Sequence, residues 1–477
     1  MGCGGAAEGH GRERDSAVQL APLTGTTTNG NALTIGTKVT LGCGSAMSGD
    51  RLSPAVDLAN SGRMDYMVFD RMGEGSQTTS HLRWSKNPAL GYDRYSGKVL
   101  GAMAPFLSRG GVVIGNFGGV NVEACGREAA AAAVQAGLTG LKIGLVNGDS
   151  ISEWALAQDL ALPQLGVRLS ELGERFICAY VYAGADGVLD VLEKGAQFVA
   201  TGRVADSSMS VGALAYSQGF SLTDWSEIAV GTMAGHMLEG GSGITGAGCA
   251  DPPYRVVPGT GILGFPFVEV SGGDIVVTKL DDVPGQVSAM TVKPRVTYET
   301  GDPAAYLTPD VVMDMTEVDV QDVGPDRVLV NGVIGRERPE TYIGLIGVRM
   351  GWKAVAEFSV GGPGCIDRAR LAETILRDRL AELVPGVQKL RIDFMGLTAL
   401  FGRGDLPQGI EEIRVRVAAL CDTRAAAVEV CEETGLLYFD RPQGIGGPKA
   451  SVDEAYQTLK VPVSREAVVT QTQIVTA

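Results

Sequence analysis

From Thr37 onward, short apolar runs alternate with stretches of helical texture. Residues 38–41 lead into Gly42-Cys43-Gly44-Ser45, and 66–69 end at Asp70. Residues 111–114 end at Gly115-Asn116, and 142–146 end at Asn147-Gly148-Asp149. Residues 177–182 end at Ala183-Gly184, and 198–201 end at Gly202-Arg203. Each run is apolar on both faces, the signature of parallel strands covered by helices. Between them, helices are predicted over 123–136, which holds a run of five alanines, over 187–194 and over 207–215. Regular β–α alternation predicts a parallel sheet in a wound α/β domain or an open barrel, with right-handed crossovers.

The texture shifts after about Gly261. Residues 262–300 are strand-like and broken by Gly and Pro. Strands then follow one another over 327–330, 342–348 and 353–360, with a helix over 366–383, strands over 389–394 and 412–418, and a helix over 424–433. This reads as a smaller α+β unit with largely antiparallel pairing. The expected organisation is a flexible arm over 1–36, an α/β domain over 37–265 carrying the ligand site, an α+β domain over 266–455 and a tail over 456–477. No internal repeat of fixed period is visible.

Composition narrows the function classes. The chain has 477 residues, long enough for two to three cores, and its 67 glycines, about twice ordinary usage, imply many tight turns. A formal net charge of −15 argues against nucleic acid and anionic membrane surfaces as partners. Eight scattered Cys with no CxxC pair fit reduced thiols of a cytoplasmic protein better than a disulfide framework or a zinc site. No apolar run of ~18 residues predicts a transmembrane helix, and no secretory leader is read at the amino terminus. Met1-Gly2-Cys3 resembles an acylation start, but Ala6 stands where Ser or Thr is needed.

Several familiar motifs fail. Gly42-Cys43-Gly44 begins like a dinucleotide fingerprint, but Met47 occupies the third glycine position. The segment 91–98 resembles a phosphate loop with one residue too many and Val99 in place of Ser or Thr. No G-x-S-x-G elbow is present. Three His (His10, His81 and His236) supply no H-E-x-x-H motif, and no metal site is expected. No cofactor is required by any motif.

In an open α/β sheet, ligands bind beyond the carboxyl ends of the strands. Polar residues collect there: Cys43, Gly44 and Ser45, then Asp70, then Asn116, Gly118, Gly119 and Asn121, then Asp149, then Arg203, Asp206 and Ser207. Each also has a purely structural explanation. Gly118-Gly119 can make a tight turn. Asp149 and Asp206 can cap the helices that follow. Arg203 can bridge to Asp206, or act as an anion clamp beside helix-start N–H groups. Cys43 can be a small buried residue. His236 and Glu239 lie three apart on one helix face, where a carboxylate orients an imidazole for acid–base work or simply pairs with it. The glycine run Gly240-Gly241-Ser242-Gly243 that follows suits a loop closing over a ligand.

Taken as an ordered set, these segments resemble the acyclic terpene utilisation (AtuA) family. The resemblance is carried by Cys43-Gly44-Ser45-Ala46, Asp65-Tyr66 with Val68-Phe69-Asp70, Asn87-Pro88-Ala89-Leu90-Gly91-Tyr92, Gly118-Gly119-Val120-Asn121 and Gly148-Asp149. It continues through Thr201-Gly202-Arg203-Val204 with Asp206, Gly235-His236 with Leu238-Glu239, Asp251-Pro252, Gly264-Phe265-Pro266, and Gly301-Asp302-Pro303 to Val311. Two departures fall near the rim, at 178–182 and at Thr245-Gly246-Ala247. The resemblance implies degradation of citronellol- and geraniol-type compounds, whose intermediates are branched acids and acyl-CoA thioesters.

The resulting expectation is a redox-independent lyase, hydratase or isomerase acting on a small carboxylate or acyl thioester. Arg203, Asp206, His236, Glu239 and Asp149 are the expected catalytic residues. Cys43, Gly44, Ser45, Asp70, Asn116, Gly118, Gly119, Asn121 and Ser207 are expected to bind the ligand. Self-association into a homo-oligomer is expected. The rival readings are a non-catalytic ligand-binding or partner subunit of a larger complex, and a nucleotide-dependent transferase.

Overall fold

The computed structural model describes residues 37–402, 409–440 and 442–477. The arm expected over 1–36 lies outside them. The six apolar runs all form strands: β1 (Val39–Ser45), β2 (Tyr66–Phe69), β3 (Val112–Gly115), β4 (Lys142–Asn147), β5 (Phe176–Val181) and β6 (Phe198–Thr201). Five of them pair in parallel in the order β1-β2-β3-β6-β4. Their side chains are buried on both faces, as expected for strands sandwiched between helices.

The strand order explains the layers. The chain steps in one direction from β1 to β4 through α1 (Ser53–Asn60), α2 (Glu74–Lys86), α3 (Ser96–Leu107) and α4 (Val122–Gln135), then steps back to β6 through α5 (Ser152–Gln158) and α6 (Asp186–Glu193). Right-handed crossovers made in opposite directions land on opposite faces. Accordingly α1, α3 and α4 touch one another on one side, while α6, α7 (Asp206–Gln218) and α8 (Trp225–Glu239) touch one another on the other. The neighbours β3 and β6 therefore send their chains to opposite faces, which opens a crevice beyond their carboxyl ends.

The strand β5 departs from the sequence expectation. It pairs antiparallel with β11 (Thr341–Gly361) in a second sheet. One face of β5 packs Ala179 and Val181 into one apolar cluster, and the other packs Cys178 and Tyr180 into a second. Burial on both faces gives the same apolar run whatever the pairing, so periodicity alone could not separate the two cases.

The region after 265 also divides differently from the expectation. Strands β7 (Phe267–Ser271), β8 (Asp274–Thr278), β9 (Asp319–Gly324) and β10 (Arg327–Asn331), expected in the α+β unit, extend the first sheet antiparallel from β1. Their apolar residues Val268, Val270, Ile275, Val277, Val328 and Val330 join the core of the parallel strands. The helix α9 (Ala289–Val296) lies between them where strand texture was read.

The second sheet runs β12 (Val387–Met395), β13 (Glu412–Cys421), β11, β14 (Ile445–Ser464), and its core is filled by α10 (Cys365–Leu383) and α11 (Arg424–Leu436). The expected strands 342–348 and 353–360 are one strand, bent at Gly351 (φ 119°), where a Cβ would lie 2.3 Å from the Cys421 carbonyl oxygen. The expected tail is structured: 456–464 belongs to β14, and β15 (Gln471–Thr476) closes the first sheet antiparallel beside β4. No helix among the described residues is long and apolar enough to cross a membrane.

Candidate functional site

A cleft of about 1010 Å³ opens at the carboxyl ends of the parallel strands, walled on its far side by 305–309 and by β11 and β14 residues such as Tyr342 and Lys460. Three carboxylates converge in it. Asp70 follows β2, Asp206 opens α7, and Glu239 ends α8; their oxygens all lie within 4.8 Å of one another.

Asp70 is fixed first. Its backbone N–H donates to the Ser45 carbonyl at 3.0 Å, and the Ser45 hydroxyl donates back to the Asp70 carbonyl at 2.8 Å. The Asn116 amide donates to Asp70 Oδ1 at 2.7 Å, while its own oxygen accepts the Arg71 and Met72 N–H groups. Ser45 and Asn116 thus serve Asp70 from the neighbouring strand ends.

Arg203 lies beneath the carboxylates, its Nη1 2.8 Å from Asp206 and 4.0 Å from Asp70, with its guanidinium 4.5 Å from the centre of the Tyr182 ring. Its side chain is 2% exposed, against 23% for Asp206 and 19% for Glu239. The two carboxylates are therefore the more accessible groups, and the arginine is buried against them. The sequence reading of Arg203 as an anion clamp gives way to that of a buried counter-ion.

Glu239 is held on the other side. Arg295 Nη2 from α9 reaches its Oε2 at 2.6 Å, and His236 Nδ1 stands 3.7 Å from the same oxygen. His236 Nε2 is 2.8 Å from the Arg295 carbonyl. A carbonyl only accepts, so Nε2 donates to it, and Nδ1 faces Glu239. Arg295 Nε in turn donates to the His236 carbonyl at 2.9 Å, which clips α9 to α8. The Tyr306 ring packs 5.6 Å from the imidazole.

Charge counting separates the three acids. Three carboxylates face the guanidiniums of Arg203 and Arg295 and the imidazole of His236. Burial, and then repulsion from Asp206, pushes Asp70 up to about 8. Burial also raises Asp206, against the pull of Arg203. Burial opposes ionisation of Glu239 too, but the His236 and Arg295 contacts outweigh it and hold the group below its usual range. Burial thus favours the protonated forms of Asp70 and Asp206, while the contacts of the third carboxylate beside them favour its charged form. A cation could be gripped by such a trio, but Arg203 and Arg295 already compensate two of its charges.

Other expected residues lie around the cleft. Ser207 lines it. Asp149 sits below, accepting the Arg203 N–H and the Gln77 amide, both at 2.9 Å; burial raises it to about 6. Its Oδ1 would be 2.2 Å from a Cβ at position 202, so Gly202 lets the carboxylate reach the turn that aims Arg203. Asn121 caps α4 and ties down the 88–90 loop through its amide. Gly118 and Gly119 form the packed turn before it; at Gly119 (φ 53°) a Cβ would sit 2.4 Å from the Gly91 carbonyl oxygen. Cys43 and Gly44 are buried in β1 below the rim, and burial pushes the Cys43 thiol well up. Sequence reasoning missed Arg295, Tyr182, Tyr306 and the Glu74–Lys460 pair (2.7 Å) at the cleft's edge. The run Gly301 to Val311 was the one signal touching Tyr306.

A family model described as acyclic terpene utilisation family protein AtuA matches residues 39–474, nearly the whole of the described chain. No curated protein matches it.

Proposed function

This chain belongs to the acyclic terpene utilisation (AtuA) family, and from that premise we propose that it is a proton-transfer enzyme acting on an acyl substrate, in redox-independent lyase, hydratase or isomerase chemistry. The observation that supports this reading is the convergence of three carboxylates in one cleft, where burial raises Asp70 and Asp206 and the Arg295 and His236 contacts lower Glu239. Titratable neighbours with opposed shifts are the usual arrangement for separate acid and base roles. Asp206, the more exposed member of its pair, hands a proton to a leaving hydroxyl or an alkene carbon, with Asp70 as its reservoir. Glu239 takes the proton from the adjacent carbon, held in place by Arg295 and His236.

The lining also narrows the substrate. Asp70, Glu74, Asp206, Glu239, Glu299 and Asp302 face the cleft against the cations Arg203 and Lys460. Such a surface repels a free carboxylate at the reacting centre. Of the two expected substrate forms, the thioester, whose acyl carbonyl is neutral, suits it better.

The test is solvent-deuterium incorporation into a panel of 3-hydroxyacyl and unsaturated branched acyl thioesters, followed by mass spectrometry. The intact protein should label or hydrate at least one of them. D206N and E239Q, shown to be folded, should each lose about 10²-fold or more, the scale of one general acid or base. Full turnover in both variants would remove the assignment.

A further inference from the structure

Beside the main cleft lies a second cavity of about 430 Å³. The two share Ala46, Glu239 and Glu299, so the second adjoins the first at Glu239. Its polarity is graded. The shared end carries the Glu239–Arg295 pair, with the arginine stacked 4.5 Å from the centre of the Tyr298 ring. The rest of its wall is glycine, Ala46, Pro294, Cys249 and Thr291. The Cys249 thiol is engaged with the Met290 carbonyl, and the Thr291 hydroxyl is used in the cap of α9.

Gly243 and Gly248 are the informative residues. Neither answers to a positive φ or a clash, which is also true of Gly73 and Gly301 in the main cleft. Neither is among the positive-φ glycines of the chain. A Cβ on Gly243 would meet nothing within 4 Å, and one on Gly248 would meet only Gly243 atoms, at 3.9 Å. Backbone and packing would therefore accept a side chain at either place. Both line the cavity, Gly243 half-buried and Gly248 exposed at its mouth, so a side chain at either place would narrow it.

We propose that this second cavity is the subsite for the hydrocarbon tail of the substrate whose reacting carbons lie at Asp206 and Glu239, kept open by the absence of side chains at Gly243 and Gly248. The inference rests on the proton-transfer reading of the main cleft. A cavity that is charged at one end and lined by glycine, Ala46, Pro294 and Cys249 elsewhere, adjoining an acid-lined cleft, fits an amphiphilic ligand with its functional group at the charged end. Water released from glycine and aliphatic walls supplies the affinity.

The full-length protein can be titrated by calorimetry with straight-chain primary alcohols from 1-butanol to 1-octanol. Wild type should gain about fourfold in affinity per methylene until the cavity is full, since each buried CH₂ contributes about 0.8 kcal/mol. G243L should abolish that gain for the longer members, lowering 1-octanol affinity at least tenfold. G248V offers the same obstruction if the first variant is unstable to urea. A series without chain-length dependence, or one equally steep in the variants that fold, would overturn the proposal. Failure of the parent reading is read separately: an unchanged alcohol series in D206N together with retained turnover would remove the acid–base assignment and leave the tail subsite standing.

Discussion

Replacing Asp70 with Asn tests the retained proton without any substrate. An Asn side chain imitates a protonated Asp, and its carbonyl can still accept the Asn116 amide bond. Asp70 rises from an ordinary 3.8 to about 8 in the fold, an interval of roughly four pH units at about 1.4 kcal/mol each. The sign follows from linkage. Between those limits the folded protein binds the proton and the unfolded chain does not, so stability falls as pH rises. The group's contribution is fully present below about pH 4 and lost once pH passes about 8. D70N has no such group, and in it Asp206 faces Arg203 without its repulsive neighbour. Urea unfolding of both proteins at each pH from 5 to 9 reads the effect of the cluster, because titrations away from it cancel in the difference. D70N should gain on wild type by about 1.4 kcal/mol per unit, or about 4 kcal/mol between pH 5 and 8, then level off. A difference that stays constant across the range, or that favours wild type as pH rises, would refute the argument from a raised Asp70.

Two other substitutions address the supports of the site. R203M strips the cation from the buried carboxylates at 2.8 and 4.0 Å and should cost about 3–5 kcal/mol at pH 8, much of it recovered at pH 5 where the acids protonate; urea midpoints at both pH values check this. D149A leaves the buried Gln77 amide and Arg203 N–H without their acceptor, at about 1–3 kcal/mol each, and should accelerate hydrogen exchange at the Arg203 amide even where the global stability is corrected for.

Much of the first sheet was legible because its strands are short, apolar throughout and separated by helices of clear periodicity. Those features report burial, and burial on both faces is what the parallel block imposes. They carry no information about which strands become neighbours. That is why β5 was placed with the parallel set although it pairs with β11. It is also why the hairpin β7–β8, joined by Gly272-Gly273, was assigned to the later unit although its register locks Val39 to Val270. Pairing of distant segments is decided by the whole core, and a local pattern records only that a segment is covered.

The site followed the same division. Asp70, Asn116 and Arg203 were found because a topological rule places the ends of parallel strands together, and the β3–β6 switch does so here. The rule locates the residues but says nothing about depth along the strand. Cys43 and Asp149 lie beneath the rim, while the more exposed Asp206 and Glu239 reach the cleft. Arg295 was beyond reach for a different reason. It sits on α9, far along the chain, in a stretch with strand-like texture, and its role depends on a reciprocal contact: its carbonyl accepts from the His236 ring N–H while its guanidinium donates to the His236 carbonyl. One residue thus holds the imidazole, the end of α8 and the Glu239 carboxyl together. The sequence shows His236 and Glu239 as an isolated pair; the fold makes them two parts of a clasp whose third part, Arg295, helps hold the Glu239 carboxyl below its usual range.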